Sequence, residues 1–388
     1  MSLMAWIPYS RQDIDEADIK AVEAVLRSQF LTQGPAVGAF EDAFGRRHQV
    51  AHAVSVCNAT AGLHIACMAL GVGPGVRVWT SPNSFVASAN CALYCGATVD
   101  FVDVDPGTRN MSVGALREKL ERAAREGNLP QVVIPVDFAG IPSDLRELRQ
   151  LADRYGFRIL EDASHAAGAS YARRPVGGQF ADVAVFSFHA VKVMTTGEGG
   201  MVVTQDAKLA QRLRLLRSHG VTRERDALAQ PPEGEWVYEQ QVLGFNYRMT
   251  DIQAALGSSQ LRRLDDQMQR RAEHVARYQR LLAGSPLVLP HCPVDRESSW
   301  HLYVVELDDS VASTRACVFA RMREAGIGVN VHYIPIHTQP YFAGLGFKPG
   351  DFPAAERFYQ RALSLPLFPA MTEAQQDRVV ATLQEALG

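Results

Sequence analysis

The chain has 388 residues, 47% of them hydrophobic and 21% charged, and 39 Lys and Arg against 42 Asp and Glu leave a formal charge of −3. At roughly 100–200 residues per domain this predicts two domains whose cores need neither disulfides nor a metal, and it excludes a disordered chain or a charge-driven nucleic-acid binder. Asp13, Asp15, Glu16 and Asp18 stand where a signal peptide needs an apolar run, and no uncharged apolar stretch reaches the roughly 18 residues of a membrane span, so a soluble, cytoplasmic protein without membrane partners is expected.

Met1, Ser2 and Leu3, ahead of Met4, read as an added scar. Asp15 can cap a first helix whose Ile19, Val22 and Leu26 form one apolar stripe, ending before Gln33-Gly34-Pro35. From there Ala53–Cys57, Arg77–Trp79, Thr98–Val102, Val132–Val136 and Phe157–Leu160 read as strands alternating with helical stretches, which is the pattern of an α/β fold with a largely parallel sheet. The next two runs, Ala181–Phe188 and Met201–Thr204, leave no room for a crossover helix and are expected to pair antiparallel. Leu209, Leu213 and Leu216 then mark a helix, and residues 222–236, with Pro231-Pro232, a surface loop.

A long helical pattern starts at Thr250 (Leu261, Leu264, Met268, Val275, Tyr278, Leu282) and predicts a passage between domains, 1–250 forming a large one and 251–388 a helix plus a small α+β domain. In the latter His301–Leu307 and Gly328–His332 read as strands, and Thr314–Glu324, Ala354–Leu363 and Thr372–Leu387 as helices. The arginines at 262, 263, 270, 271, 277 and 280 alternate with Asp265, Asp266 and Glu273, which favours a solvated helix face over a nucleic-acid stripe. The six cysteines lie mostly in apolar stretches and read as buried thiols; no metal is expected.

Three segments carry chemistry. In Phe186–Gly200, Lys192 sits just past a strand, in an apolar run beside a Gly-rich turn, where desolvation favours the neutral amine that imine chemistry needs; a snorkelling surface lysine is the plain alternative. Phe157–Leu160 ends in Glu161-Asp162, placing a carboxylate at the C-terminal edge of a parallel strand, as a ligand group or simply a helix cap. Ala53–Cys57 runs through Asn58-Ala59-Thr60-Ala61-Gly62 into a helix, a turn of small residues whose amides can cradle a phosphate or merely pack closely. Anion cradle, acid and lysine together are the requirements of pyridoxal 5′-phosphate.

On these segments the chain resembles the DegT/DnrJ/EryC1/StrS sugar aminotransferases, of the type I (aspartate aminotransferase-like) pyridoxal-phosphate fold. The resemblance runs from Tyr9 and Leu31–Pro35, through Val136-Asp137-Phe138-Ala139-Gly140, Ser187–Gly200 and Gly244–Arg248, to His332–His337. It lies nearest the members that aminate a UDP-4-keto-6-deoxy-N-acetylhexosamine in pseudaminic acid synthesis. By resemblance Lys192 is the catalytic residue and forms the imine with the cofactor, and Asp162 keeps the pyridine nitrogen protonated. Ser187 and the backbone at Ala59, Thr60 and Ala61 hold the phosphate, Phe85 covers the ring, and His165 lies near the ring or its hydroxyl. Asn246 reaches the cofactor of a second subunit, implying a homodimer with shared sites. Tyr9, Gln29, Phe30, Leu31, Thr32 and the loop His332, Tyr333, Ile334, Pro335 contact the nucleotide sugar.

The implied reaction moves the amino group of glutamate, leaving 2-oxoglutarate, to C4 of the L-altrose-configured sugar. A D-configured 4-keto sugar and a 3-keto sugar are the alternatives. A sugar dehydratase, which by family carries histidine in place of the lysine, is opposed by Lys192, and a non-catalytic cofactor-binding regulator by the complete set of reactive groups. His189 reads as structural, Glu198 as a turn residue bonding backbone amides, and Phe85, beside its cofactor role, as plain core.

Overall fold

The computed structural model describes residues 6–388, so the reading of Met1, Ser2 and Leu3 falls outside the described residues. Seven strands, β1 (His52–Val56), β2 (Arg77–Thr80), β3 (Thr98–Phe101), β4 (Val132–Ile134), β5 (Arg158–Asp162), β6 (Val183–Ser187) and β7 (Gly200–Thr204), form one sheet in the order β1-β7-β6-β5-β4-β2-β3. All neighbours are parallel except β7, which runs antiparallel to both β6 and β1, as its short connection to β6 requires. The central strands read as unbroken apolar runs because helices cover both faces.

Helices α1 (Glu16–Leu26), α2 (Pro35–His48), α3 (Ala59–Ala69), α4 (Ala87–Tyr94), α5 (Val113–Glu126), α6 (Leu145–Tyr155) and α7 (Ala207–Arg217) accompany these strands. Leu63 of α3, Cys91 of α4 and Leu213 of α7 pack with Leu160 and Val185 on one face; Leu116 of α5 and Leu148 of α6 pack with Val133 and Ile159 on the other. Because side chains alternate along a strand, Asp162 falls on the α3/α4 face with Leu160, and Glu161 on the opposite face with Ile159.

The long helix is broken at Arg263 (φ −103°, ψ 4°) into α8 (Asp251–Arg262), capped by Thr250 and Gln253, and α9 (Leu264–Leu281). A second core around Tyr278, Tyr303, Leu363 and Leu383 lies on a three-stranded antiparallel sheet of Leu287–Val288, Tyr303–Leu307 and Ala362–Leu365. Two expectations are corrected here. Residues 328–332 form no strand, and their one backbone bridge to the sheet is at Asn330, opposite Ser364. The third strand is instead Ala362–Leu365, whose first residue turns extended (ψ 136°) and ends the helix Pro353–Arg361 before the expected Leu363.

Two side-chain patterns also differ. In α1, Ile19 and Leu26 are exposed, whereas Asp18 is buried, capped into the box of Asp15 and bound to Gln260 Nε2 (2.6 Å) and Arg263 (2.7 Å); the polar side, not the apolar stripe, faces α8. Among the arginines of α9, Arg271 is fully buried and donates to the carbonyls of Trp300 (3.3 Å) and Leu367 (3.2 Å), so the solvated-face reading fails at that position. All six cysteines are unpaired; Cys67 and Cys91 are buried while Cys317 is exposed. Among the described residues no helix is long and apolar enough to cross a membrane, and no group of side chains is arranged to hold a metal ion.

Candidate active site

The C-terminal ends of β1, β5 and β6 and the N-terminus of α3 converge on a cavity of about 820 Å³. Asn58 Oδ1 caps α3 by accepting the Ala61 amide at 2.8 Å, which leaves Ala59 and Thr60 as the amides that precede it at the positive end of the helix. Ala61 therefore has its N–H already committed to the cap. The opposing wall is Gly200, paired with Ser187 across β6 and β7; a β-carbon there would stand 2.9 Å from the Ala59 nitrogen, so only glycine lets the strand approach the turn so closely. Ser187, buried at the end of β6, adds a hydroxyl to the same corner.

Across the cavity, Asp162 ends β5. Its Oδ2 accepts from Ser88 Oγ of α4 at 2.6 Å, Ser88 is within 2.7 Å of Ser84 Oγ, and Oδ1 accepts the Ser164 amide at 3.2 Å. Lys192 lies in the loop after β6, anchored by its own amide on the His189 carbonyl (2.9 Å). Burial pushes its amine down to about 8, and the opposing charge of Asp162 offsets only part of that shift. A base that is half neutral at about pH 8 keeps an appreciable neutral fraction for proton abstraction at carbon.

The remaining wall is a cluster of uncharged aromatic and imidazole groups. His165 Nδ1 accepts the Ala139 amide (3.2 Å), so its proton sits on Nε2, which donates to Tyr333 Oη at 3.1 Å. The tyrosine hydroxyl is thereby left with its own proton to offer. His332 Nδ1 meets Ser364 Oγ at 2.7 Å, and the rings of His165 and His301 lie 4.5 Å apart. Burial first, and then the charge of Lys192, holds His165, His301 and His332 below the usual imidazole range, His332 to about 3.

Of the residues singled out in the sequence, Tyr9, Ala59, Thr60, Ala61, Phe85, Asp162, His165, Ser187, Lys192, His332 and Tyr333 line this one cavity. Phe85 is 60% exposed at its rim, which overturns the plain-core reading. Gln29, Phe30, Leu31 and Thr32 lie elsewhere, exposed and held against the start of α8 by the Asp251 amide on the Leu31 carbonyl (3.0 Å). Asn246 is bridged to Ser218, and Ile334 and Pro335 lie outside the lining. Glu198 does not bond backbone amides through its carboxylate, which is exposed 3.9 Å from His189 Nε2; both line the cavity mouth. Ser84, Ser88 and His301 were missed. The serines at 84 and 88 carried a signal in their i,i+4 spacing, whereas no pattern marks His301, which follows Trp300 at a positive φ (48°).

These groups fit pyridoxal 5′-phosphate: free amides and hydroxyls at a helix N-terminus for the phosphate, a serine-braced carboxylate for the ring nitrogen and a lysine of lowered basicity for the carbonyl carbon. Comparison with known proteins gives the same answer. The profile described as the DegT/DnrJ/EryC1/StrS aminotransferase family matches residues 12–384. Among curated relatives, the spore coat polysaccharide biosynthesis protein SpsC of Bacillus subtilis is 38% identical over 384 residues, 98% of this chain and 97% of its own length. Among solved structures, Helicobacter pylori PseC, an aminotransferase involved in the biosynthesis of pseudoaminic acid, superposes with a TM-score of 0.89 at 32% identity over 98% of this chain and 99% of its own. The PMP form of Spr1654 from Streptococcus pneumoniae gives a TM-score of 0.89 at 32% identity, with the same coverage.

Proposed function

Because the chain belongs to the DegT/DnrJ/EryC1/StrS aminotransferase family, we propose that it moves the amino group of glutamate to C4 of a UDP-linked 4-keto-6-deoxy-N-acetylhexosamine of the pseudaminic acid type. It is a pyridoxal-phosphate-dependent sugar aminotransferase with the fold of that class. When bound, the cofactor supplies the electron sink that makes a carbon–hydrogen bond next to nitrogen acidic. Lys192 would be its attachment point and, once free, the base whose Nζ takes up and gives back the proton that moves during amino transfer. Asp162 holds the proton of the ring nitrogen, with Ser88 and the Ser164 amide fixing its two oxygens. Ser187 and the amides of Ala59 and Thr60 would hold the phosphate, and buried His165, bonded to Tyr333, lines the wall beside the lysine as a neutral imidazole.

The observation that carries the sugar reading is the lining itself. Beyond the cofactor groups, its polar side chains include Tyr9, His301, His332 and Tyr333, and no arginine is among the lining residues. Such a wall suits an uncharged, hydroxylated ring rather than a second dicarboxylate. Similarity to PseC supports the 4-keto-6-deoxy sugar, and the higher identity to SpsC supports a second reading, another nucleotide-linked keto sugar of a polysaccharide pathway. Glutamate as donor rests on the family.

The same reading carries further assignments. Residues 1–250 form the cofactor domain and 251–388 the helical link and small domain; the enzyme works in the cytoplasm as a homodimer, with Asn246 and residues 29–32 serving the partner's site. Incubating enzyme, cofactor and glutamate with each 4-keto isomer and with 3-keto analogues, then identifying the amino sugar by mass and NMR, tests the substrate. Amination of the L-altrose-configured sugar alone is expected. Amination of only a 3-keto sugar overturns this substrate while leaving the aminotransferase intact, since hydrogen-bonding sites reject ill-fitting hydroxyl patterns by roughly 10⁴-fold.

A further inference from the structure

Directly behind Asp162 lie two carboxyl groups that the reaction does not use. Asp137 follows β4 and is tied to the end of β5 by main chain: its amide donates to the Asp162 carbonyl (3.1 Å), and the Asp162 amide donates to the Pro135 carbonyl (2.9 Å). Glu161 precedes Asp162 and points to the other face of the sheet. Both side chains are completely buried. Asp137 Oδ1 accepts the Ser143 amide at 2.8 Å, but Asp137 Oδ2 and both oxygens of Glu161 receive no hydrogen bond of ordinary geometry. Among the described residues no lysine, arginine or histidine forms an ion pair with either of them.

Two ionised carboxylates cannot satisfy one another, because each only accepts, and a buried charge without a partner is strongly disfavoured. One proton changes this: a carboxylic acid donates, its neighbour accepts, and the pair carries a single charge, as in other carboxyl dyads. We propose that Asp137 and Glu161 share one proton, and that this buried acid pair is a positioning device that locks β4 to the strand end presenting Asp162.

The surroundings agree. Burial pushes Asp137 up to about 6 and Glu161 well above the carboxylate range. The charge of Asp162 adds to the shift at Asp137, and the carboxyl of Asp137 adds to that at Glu161; Ser143 and the Gly177 and Gly178 amides pull the other way and are outweighed. Both carboxyls are thus pushed toward holding a proton, so the pair brings one charge rather than two to the back of Asp162.

The test is infrared spectroscopy of the holoenzyme and of the cofactor-free enzyme near neutral pH, with Glu161→Gln, Glu161→Ala and Asp137→Ala. Wild type should show a protonated carboxyl C=O band that shifts in heavy water and is absent from Glu161→Gln. Glu161→Gln should bind pyridoxal phosphate within about threefold of wild type, because its amide replaces the donor to Asp137; Glu161→Ala or Asp137→Ala should weaken binding about tenfold or more. If the alanine variants do not fold, the band and the glutamine variant still decide. Absence of the band from folded wild type, or a glutamine variant that weakens cofactor binding about tenfold or more, overturns the proposal. Neither result touches the sugar assignment, since neither readout involves a sugar.

Discussion

The floor of the cavity and its mouth are built on different terms. On the floor, fixed partners within the chain hold the Asp162 carboxylate (Ser88 and Ser164), the Ala61 amide (Asn58) and the main chain of Lys192 (the His189 carbonyl). At the mouth, Phe85 and Tyr94 are exposed, and Asn246 is tied to Ser218 outside the lining. Large exposed apolar groups beside a site mark a surface that another body covers. On the proposed function, one chain seats the cofactor and a second copy is the body that covers the mouth.

The largest effects should come from the floor. Lys192→Ala should lower amino transfer by at least about 10⁴-fold, since on the proposed function it removes both the attachment point and the base. Borohydride reduction of the wild-type holoenzyme should leave the pyridoxyl group on the Lys192 peptide, and recovery of the adduct on a different lysine would sink the assignment. Asp162→Ala should cost about 10²–10³-fold and weaken cofactor binding, read from single-turnover formation of pyridoxamine phosphate with glutamate. Near wild-type turnover in that variant contradicts the role given to Asp162.

The mouth is probed by mixing. If Asn246 serves the partner, Asn246→Ala and Lys192→Ala subunits, each nearly inactive alone, should regain up to about a quarter of wild-type activity after exchange, because half the dimers are hybrids with one intact site. No recovery, or a fully active monomer in sedimentation at assay concentration, removes the shared mouth and makes the single chain complete.

A pH measurement sharpens the contrast from the floor side. Burial holds the Lys192 amine down to about 8, and in its proposed role only the neutral form would react with the cofactor. The rate at which cofactor-free enzyme takes up pyridoxal phosphate should therefore rise about tenfold per pH unit below 8 and flatten above it. The stability term has the same sign: between about 8 and the ordinary lysine value of 10.5 the unfolded chain binds more protons, so the fold gains stability as pH rises through that window. A break near 10.5 in stopped-flow absorbance would mean the amine is solvated in the working enzyme.

The same division explains what the sequence made legible. The floor was readable because strand ends and helix starts are local: an apolar run ending in Glu161-Asp162, a small-residue turn at 58–62 and a lysine past β6 each announce themselves within a few residues. The antiparallel β6/β7 pair was readable for the same reason. What stayed hidden depends on distant packing. Ala362–Leu365 becomes a strand because Tyr303–Leu307 offers an edge, Arg271 is buried because carbonyls from Trp300 and Leu367 surround it, and the apolar stripe of α1 faces outward because Arg263 claims Asp18.

The smallest expected effect falls on a floor residue that pattern reading missed. Ser88 is buried on α4 and donates to Asp162 Oδ2 at 2.6 Å, a charge-assisted bond of the kind worth about 1.5–3 kcal/mol before compensation. Ser84 Oγ, 2.7 Å from Ser88 Oγ, stands close enough to take over part of the contact, and Ser164 still holds Oδ1. Ser88→Ala should therefore raise the dissociation constant of pyridoxal phosphate only about fivefold and slow proton abstraction by a similar factor, with KM for the sugar unchanged. Ser84→Ala alone should do less, and the double variant more than the sum of the two, because the reserve donor is then gone. If Ser88→Ala leaves both cofactor binding and the single-turnover rate unaltered, Asp162 is held by its strand alone and α4 only packs against it. If KM for the sugar moves instead, α4 belongs to the mouth, and the line between the two regions runs through the helix rather than along its edge.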